Sequence, residues 1–328
     1  MSSKLRGGAL GVSHPHFSGR LKAIQTLDEI ELVGIYDADV TLARRLGEET
    51  GAKVYSNEEE LLRANLDFVI IESTNHENAR YALSAIRERK AILLEKPGAH
   101  DLPTLKTISQ EAERNNVFCQ VGYHLRYSPS VQEALNIIEN GGVGRITTGR
   151  FHVAVMSPWL TDPWFCNPFD RGGLVYLDFC HMLDLLILFL GKPSSHLSKI
   201  LKLENVPKHP FEDSGAFLFR FGDALIAGDC CGWEVNDWIT TWDIELYGME
   251  GTLKLGIHPP WWKLYSPSKG AGWKEWSEMD FDGDKNYLFE MEDFAKRLRG
   301  EVTGKGCTLK EAVTILEIIE EMYRANGM

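Results

Sequence analysis

Short runs of apolar residues alternate with longer amphipathic stretches through the first third of the chain. Gly8-Ala9-Leu10-Gly11-Val12 reads as a first strand, followed by a helix around residues 17–27. Residues 30–37 read as a second strand that ends in the acid Asp37. Residues 40–50 repeat at helical spacing and meet Gly51, a helix stop. Phe68-Val69-Ile70-Ile71 is a buried third strand, 78–89 a helix, and Ala91-Ile92-Leu93-Leu94 a fourth strand. A helix over 102–115 and a strand over 117–121 complete the series. Short, wholly apolar strands between helices predict a doubly wound parallel sheet of the Rossmann type.

The pattern changes after about Tyr123. A helix over 130–139 stops at Gly141-Gly142, and strands dominate from Arg145 onward. Residues 217–221 and 224–227 flank Gly222-Asp223, a hairpin turn. Residues 242–247 and 252–255 flank a second turn, Gly248-Met249-Glu250-Gly251. Amphipathic helices over 287–298 and 308–324 follow. The expected fold is α/β: a dinucleotide-binding domain over 1–123, then an α+β domain over 124–328 with an open, mostly antiparallel sheet.

Composition narrows the partners. The 328 residues are 44% hydrophobic, as in ordinary globular proteins, and carry a net charge of −12. That charge disfavours a nucleic-acid backbone or an anionic membrane. None of the six cysteines forms Cys-x-x-Cys, so neither a zinc site nor a disulfide framework is expected, and no metal is assigned. The start of the chain has no signal-peptide pattern. The densest apolar run, residues 182–190, contains Asp184 and is far short of a membrane span. A reducing cytoplasm is the expected location.

Glu95-Lys96-Pro97 stands at the end of the fourth predicted strand, on the sheet edge where ligands of open α/β sheets bind. A lysine held partly out of water there can take part in proton transfer. The first strand runs into Gly11-Val12-Ser13-His14-Pro15-His16, where a dinucleotide fold wants Gly-x-Gly-x-x-Gly. Only Gly11 is retained. Ser13 is small enough for backbone to approach a pyrophosphate, and His16 is bulky where the third glycine would be. Asp37 stands where an acid that accepts both adenosine ribose hydroxyls is expected, and it would repel a 2′-phosphate. NAD is therefore favoured, with NADP kept open by Arg44 and Arg45.

These residues resemble the glucose-fructose oxidoreductase / inositol dehydrogenase / rhizopine catabolism family over nearly the whole chain. Glu95-Lys96-Pro97 matches that family's central motif. Glu72-Ser73-Thr74-Asn75-His76-Glu77-Asn78 is similar to its Ala-Thr-Pro-Asn-x-x-His, and Gly122-Tyr123-His124-Leu125-Arg126-Tyr127-Ser128-Pro129 to its Gly-Phe-Asn-x-Arg-Phe-x-Pro. Arg171-Gly172-Gly173 is similar to its Gly-Gly-Gly turn. His181-Met182-Leu183-Asp184 matches its His-x-x-Asp, and Tyr247–Leu253 its Tyr-Gly-x-x-Gly-Thr-Leu hairpin. The resemblance implies a two-domain NAD(P)-dependent enzyme acting on sugars, sugar derivatives or cyclitols. It implies a homodimer or homotetramer assembled through the open sheet. It implies cofactor contacts from Gly11, Ser13, His14, Asp37, Ser73, Thr74, Asn75 and Glu95. Substrate contacts are expected from His124, Arg126, Trp164 and Asp184.

Oxidising a secondary alcohol needs a base, a group that stabilises developing alkoxide charge, and a fixed hydride acceptor. Lys96 can hydrogen-bond the reacting oxygen, Glu95 can orient Lys96 or the nicotinamide, and His181 can be the base. The family places an aspartate four residues before this histidine, where this chain has Leu177. Asp178, three before, takes that role only if the backbone there departs from a regular helix, because each helical step turns a side chain by about 100°. Trp159 and Trp164 can stack on a sugar ring, and the seven tryptophans over 233–276 are read as core or subunit interface. Two alternatives stay open at this point. One is a cofactor- or sugar-binding regulatory protein of the same fold; the other is an enzyme whose tightly bound NAD is recycled within each turnover.

Overall fold

The computed structural model describes residues 3–155, 167, 170, 172–203, 211–234, 241–268, 270–275, 283–304 and 306–328. Trp159, Trp164 and Arg171 lie outside the described residues. The chain divides into two compact units, Met1–His124 with Asp284–Val313, and Leu125–Gly283 with Thr314–Met328.

The first unit is built on a seven-stranded sheet in the order β15-β6-β5-β4-β1-β2-β3. Its strands are β1 (Leu5–Leu10), β2 (Ile30–Tyr36), β3 (Lys53–Val54), β4 (Phe68–Ile71), β5 (Ala91–Leu94), β6 (Cys119–Val121) and β15 (Cys307–Thr308). All run parallel except β15, which is antiparallel to β6. Between them lie α1 (Phe17–Thr26), α2 (Val40–Thr50), α3 (Glu58–Leu62), α4 (Asn75–Arg87) and α5 (Leu102–Asn115). Strand order reverses between β1 and β4, so the loops after these two strands open a crevice at the carboxyl edge.

Local chemistry sets the boundaries. α2 has the predicted limits; Asp39 accepts the Thr41 and Leu42 amides, and Gly51 closes the helix in the left-handed region. α4 starts at Asn75 rather than 78, because the Thr74 hydroxyl accepts the Glu77 amide and caps it. β1 begins at Leu5, pairing with Ile30, and ends before Gly11, whose φ of +81° takes the chain out of the sheet. β6 starts only at Cys119, since the Val117 amide is spent closing α5 onto Ala112.

The helix here called α8 (Asp284–Leu298) packs on α1 in the first unit. A Cβ on Gly19 would stand 2.3 Å from the Tyr287 ring, so glycine permits that approach. Phe68, Ile70 and Leu93 of the sheet meet Met291 and Phe294 of α8 in one core. Burying five such side chains outweighs single hydrogen bonds in holding this layer, at about 1.5–3 kcal/mol each.

The second unit carries an eight-stranded sheet in the order β14-β13-β12-β11-β7-β10-β9-β8. Its strands are β7 (Ile146–Ala154), β8 (Ser195–Leu201), β9 (Ser214–Phe221), β10 (Ala224–Cys231), β11 (Trp242–Gly248), β12 (Thr252–His258), β13 (Trp261–Ser266) and β14 (Gly270–Glu275). Among the described residues only β7 and β10 of this sheet pair in parallel. Both predicted hairpins are present, Phe221 facing Ala224 in one and Tyr247 facing Thr252 in the other. Phe217, Phe219 and Phe221 point inward, and Leu218 and Arg220 outward. The inward face packs on an aromatic core in which Phe179 stacks on Phe217 at 4.1 Å. α6 (Pro129–Glu139) and α7 (Cys180–Leu190) belong to this unit, and α9 is Leu309–Ala325. No helix among the described residues is long and apolar enough to cross a membrane.

Candidate functional site

The crevice of the first unit gathers most of the residues singled out from the sequence. A Cβ on Gly11 would stand 2.8 Å from Ser73 Cβ and 2.9 Å from the Tyr81 ring, so the first loop needs glycine for space as well as for φ. Asp37 ends β2 and is 6% exposed. Its Oδ2 accepts the Val12 amide at 2.7 Å and its Oδ1 the Asp39 amide at 2.8 Å, so this one carboxylate ties the first loop to the second. Burial raises its pKa, against the pull of those two amides. Ser13 and Ser73 bring their hydroxyls to 3.2 Å across the crevice. Ser73 is held in turn by Asn78, which accepts its amide, and by Glu77, which accepts its hydroxyl at 2.6 Å. Thr74 and Asn75 begin α4 beside it. The first turn of α1 has no side-chain cap; its Phe17 and Gly19 amides donate to the His14 and His16 carbonyls.

Glu95 and Lys96 follow β5, with Glu95 fully buried and Lys96 4% exposed. The Lys96–Pro97 bond is cis. Glu95 is the hub of a buried network. Its Oε2 accepts Arg20 Nη1 at 2.8 Å, and its Oε1 lies 2.9 Å from His16 Nδ1 and 3.7 Å from His14 Nε2. Arg20 also bonds Glu72, Glu290 and the Gly122 carbonyl. Burial alone would raise the Glu95 carboxyl; the charges of Arg20 and Lys96 outweigh it and hold it below the ordinary range. Burial keeps His14, His16 and His124 well below the usual imidazole value, hence neutral at pH 7. The His124 ring stacks on Tyr287 at 4.4 Å and meets the His16 ring edge-on at 4.8 Å.

In the second unit, α7 carries His181 and Asp184, and Asp178 lies in the turn before it. Residues Val175–Phe179 form a π turn, so the backbone before His181 departs from a regular α-helix. Leu177, in the place of the family's acid, is a core residue, whereas Asp178 is half-buried. His181 is 3% exposed, its ring edge-on to Trp242 at 6.1 Å. Asp184 and Arg126 pair with one another. The Arg126 Nε and Nη2 donate to both carboxylate oxygens at 2.6–3.0 Å, and each side chain is 1% exposed. Such a bidentate pair fixes α7 to the 124–127 turn.

Four residues of these networks were given no role by the sequence reading: Arg20, Glu72, Glu290 and Tyr287. Arg20 carried a signal, an arginine on the same helical face as Phe17, Leu21 and Ile24. The others meet their partners only through the fold.

Residues 8–123 match the family model described as "Oxidoreductase family, NAD-binding Rossmann fold", and residues 131–254 match its partner, "GFO/IDH/MocA C-terminal domain". The chain belongs to this family of oxidoreductases. Its first unit holds the family's NAD-binding Rossmann domain, and the Gly11 cradle and Asp37 suit a dinucleotide. Among curated relatives, glucose-6-phosphate 3-dehydrogenase of Bacillus subtilis is 31% identical over 44% of this chain and 40% of its own length. The 1,5-anhydro-D-fructose reductase of Ensifer adhaerens is 29% identical over 62% of this chain and 61% of its own. The matches thus span less than two thirds of either relative. A crystal structure of an oxidoreductase from Agrobacterium radiobacter, in complex with NAD+, L-tartaric acid and magnesium, superposes with a TM-score of 0.86 at 17% identity, covering 99% of this chain and 97% of that one. At that identity the likeness is one of fold.

Proposed function

We propose that the protein transfers hydride between NAD and a secondary alcohol or ketone of a sugar, sugar derivative or cyclitol. The observation that carries this reading is the convergence, at the strand-order reversal, of the Gly11 loop, Asp37 and the Glu95-Lys96 pair. Gly11, Ser13, His14, Asp37, Ser73, Thr74, Asn75 and Glu95 would hold the dinucleotide, with Asp37 on the adenosine ribose, favouring NAD over NADP. The bound nicotinamide supplies the hydride acceptor or donor. The relatives named for sugar phosphates and anhydro sugars point to the substrate class.

The chain's own residues take the remaining roles. Lys96 donates a hydrogen bond to the reacting oxygen and stabilises its developing charge. His181 accepts the hydroxyl proton, with Asp178 as the nearby acid. His124 and Trp164 contact the polyol. Arg126 and Asp184 contribute by fixing the helix that carries His181. The open face of the second unit's sheet, where Leu197 is 71% and Leu225 47% exposed, is proposed as the surface of a homodimer or homotetramer.

The test is NADH formation over a panel of hexoses, hexose phosphates, anhydro sugars and cyclitols, for wild type and Lys96→Met. Turnover with at least one substrate is expected, falling by about 10²–10⁴-fold in the variant while NADH still quenches tryptophan fluorescence. Turnover undiminished in Lys96→Met would overturn the mechanism. No turnover on the whole panel, in a protein that binds no nucleotide, would overturn the function.

A further inference from the structure

We propose that His14, His16 and Glu95 form a binding site for a single divalent transition-metal ion. Two imidazoles and one carboxylate offer ligand atoms that all lie within 4.8 Å of one another. The imidazole nitrogens converge on the same oxygen, Glu95 Oε1, at 2.9 Å from His16 Nδ1 and 3.7 Å from His14 Nε2. Donors around a tetrahedral zinc ion, each bound at about 2.0–2.2 Å, stand about 3.3–3.6 Å apart, between those two values. Two histidines with one glutamate is also a donor set that leaves a coordination position open.

Two further features suit a cation. Glu95 is already oriented, since Arg20 binds its other oxygen at 2.8 Å and leaves Oε1 for the ion. The second is Glu72 Oε2. It is buried, has no hydrogen-bond partner among the described residues, and lies 3.8 Å from His14 Nδ1.

That oxygen has a place in the loaded site. At present His14 Nδ1 accepts the His16 amide at 3.1 Å, which puts the ring proton on Nε2. Binding an ion through Nε2 moves the proton to Nδ1, and Glu72 Oε2 becomes its acceptor in exchange for the amide contact. A carboxylate behind a ligating histidine is the usual outer support of such sites. The His16 side chain is 24% exposed and gives the ion an entry side. The donors suit zinc, cobalt, manganese or iron rather than calcium or magnesium, which prefer oxygen. The expectation of no metal followed from cysteine spacing; this set is a His-x-His joined by the fold to a glutamate 79 residues away.

The experiment strips the full-length protein with a chelator and titrates it with Co²⁺, reading the visible ligand-field absorption, with Zn²⁺ as competitor. It requires neither turnover nor nucleotide, so it is independent of the dehydrogenase reading; NADH binding is followed separately by fluorescence. Stoichiometric absorption, displaced by Zn²⁺ and weakened about 10-fold or more in His16→Asn and Glu95→Gln, is expected. His16→Asn carries the decision if Glu95→Gln unfolds, because residue 16 lies on a partly exposed loop. No absorption in wild type, or absorption unchanged in folded His16→Asn, would overturn the site.

Discussion

The Asp37 carboxylate accepts the Val12 and Asp39 amides, and its remaining lone pairs are the ones the proposed function gives to the adenosine ribose. Asp37→Asn keeps one acceptor oxygen, loses the charge, and no longer repels a 2′-phosphate. NADH affinity should fall by about 10-fold, as for a charge-assisted hydrogen bond worth ~1.5 kcal/mol, while NADPH affinity falls less or rises. Parallel titrations by tryptophan fluorescence check this, and an equal loss for both nucleotides would contradict the ribose assignment. The places of Asp37 and of the Glu95-Lys96 pair were legible in the sequence because each directly follows an apolar strand, where the fold class fixes the location of a side chain. The network behind Lys96 was not. Arg20 meets Glu290 across 270 residues, a distance over which no local pattern carries information.

The helix bearing His181 is anchored at its start by a buried acid. Glu212 accepts the Val175 amide at 3.0 Å and the Tyr323 hydroxyl at 2.6 Å. It fits only because residue 173 is glycine at φ +107°, where a Cβ would stand 2.3 Å from the carboxylate. Burial pushes Glu212 up from 4.5 to about 7, against those hydrogen bonds. The folded protein therefore keeps a proton that the unfolded chain releases between those values. Stability falls as pH rises from about 4.5 to about 7 and is flat in this term outside that window. The amplitude is at most about 3 kcal/mol at 1.36 kcal/mol per unit. Glu212→Gln, neutral and of the same shape, should flatten that slope in urea denaturation series and lose no stability above pH ~7, where wild type carries the buried charge. An unchanged slope would show that Glu212 does not titrate in this range. Elements long enough to show a period were legible, as α2 and α5 illustrate. β3 and α3, at two and five residues, were too short for any pattern, and the π turn has no signature distinguishing it from an α-helix.

At the scale of the whole molecule, the chain returns to its first unit late: residues 284–313 pack with the Rossmann sheet, supplying α8 and β15. That return was not readable, because an amphipathic helix advertises an apolar stripe without naming the surface it covers. The open sheet was readable from its hairpins, and its outward face carries the last prediction. Leu197 and Leu218 face each other across β8 and β9, and Leu225 lies on the next strand, β10. Leu197 is 71%, Leu225 47% and Leu218 37% exposed. Near this apolar strip, Arg150 pairs with Glu245 and His152 with Asp229. An apolar centre beside ion pairs has the anatomy of a protein interface. A face of this kind is not expected to stay open on a soluble monomer. Leu197→Asp with Leu225→Asp would place two unpaired charges in a desolvated interface. Sedimentation should therefore show a homo-oligomer for wild type and a monomer for the double variant. Both side chains point away from the core, so the melting temperature at low protein concentration should change little once assembly is lost. A wild type that sediments as a monomer, or a double variant that still assembles, would move the interface elsewhere.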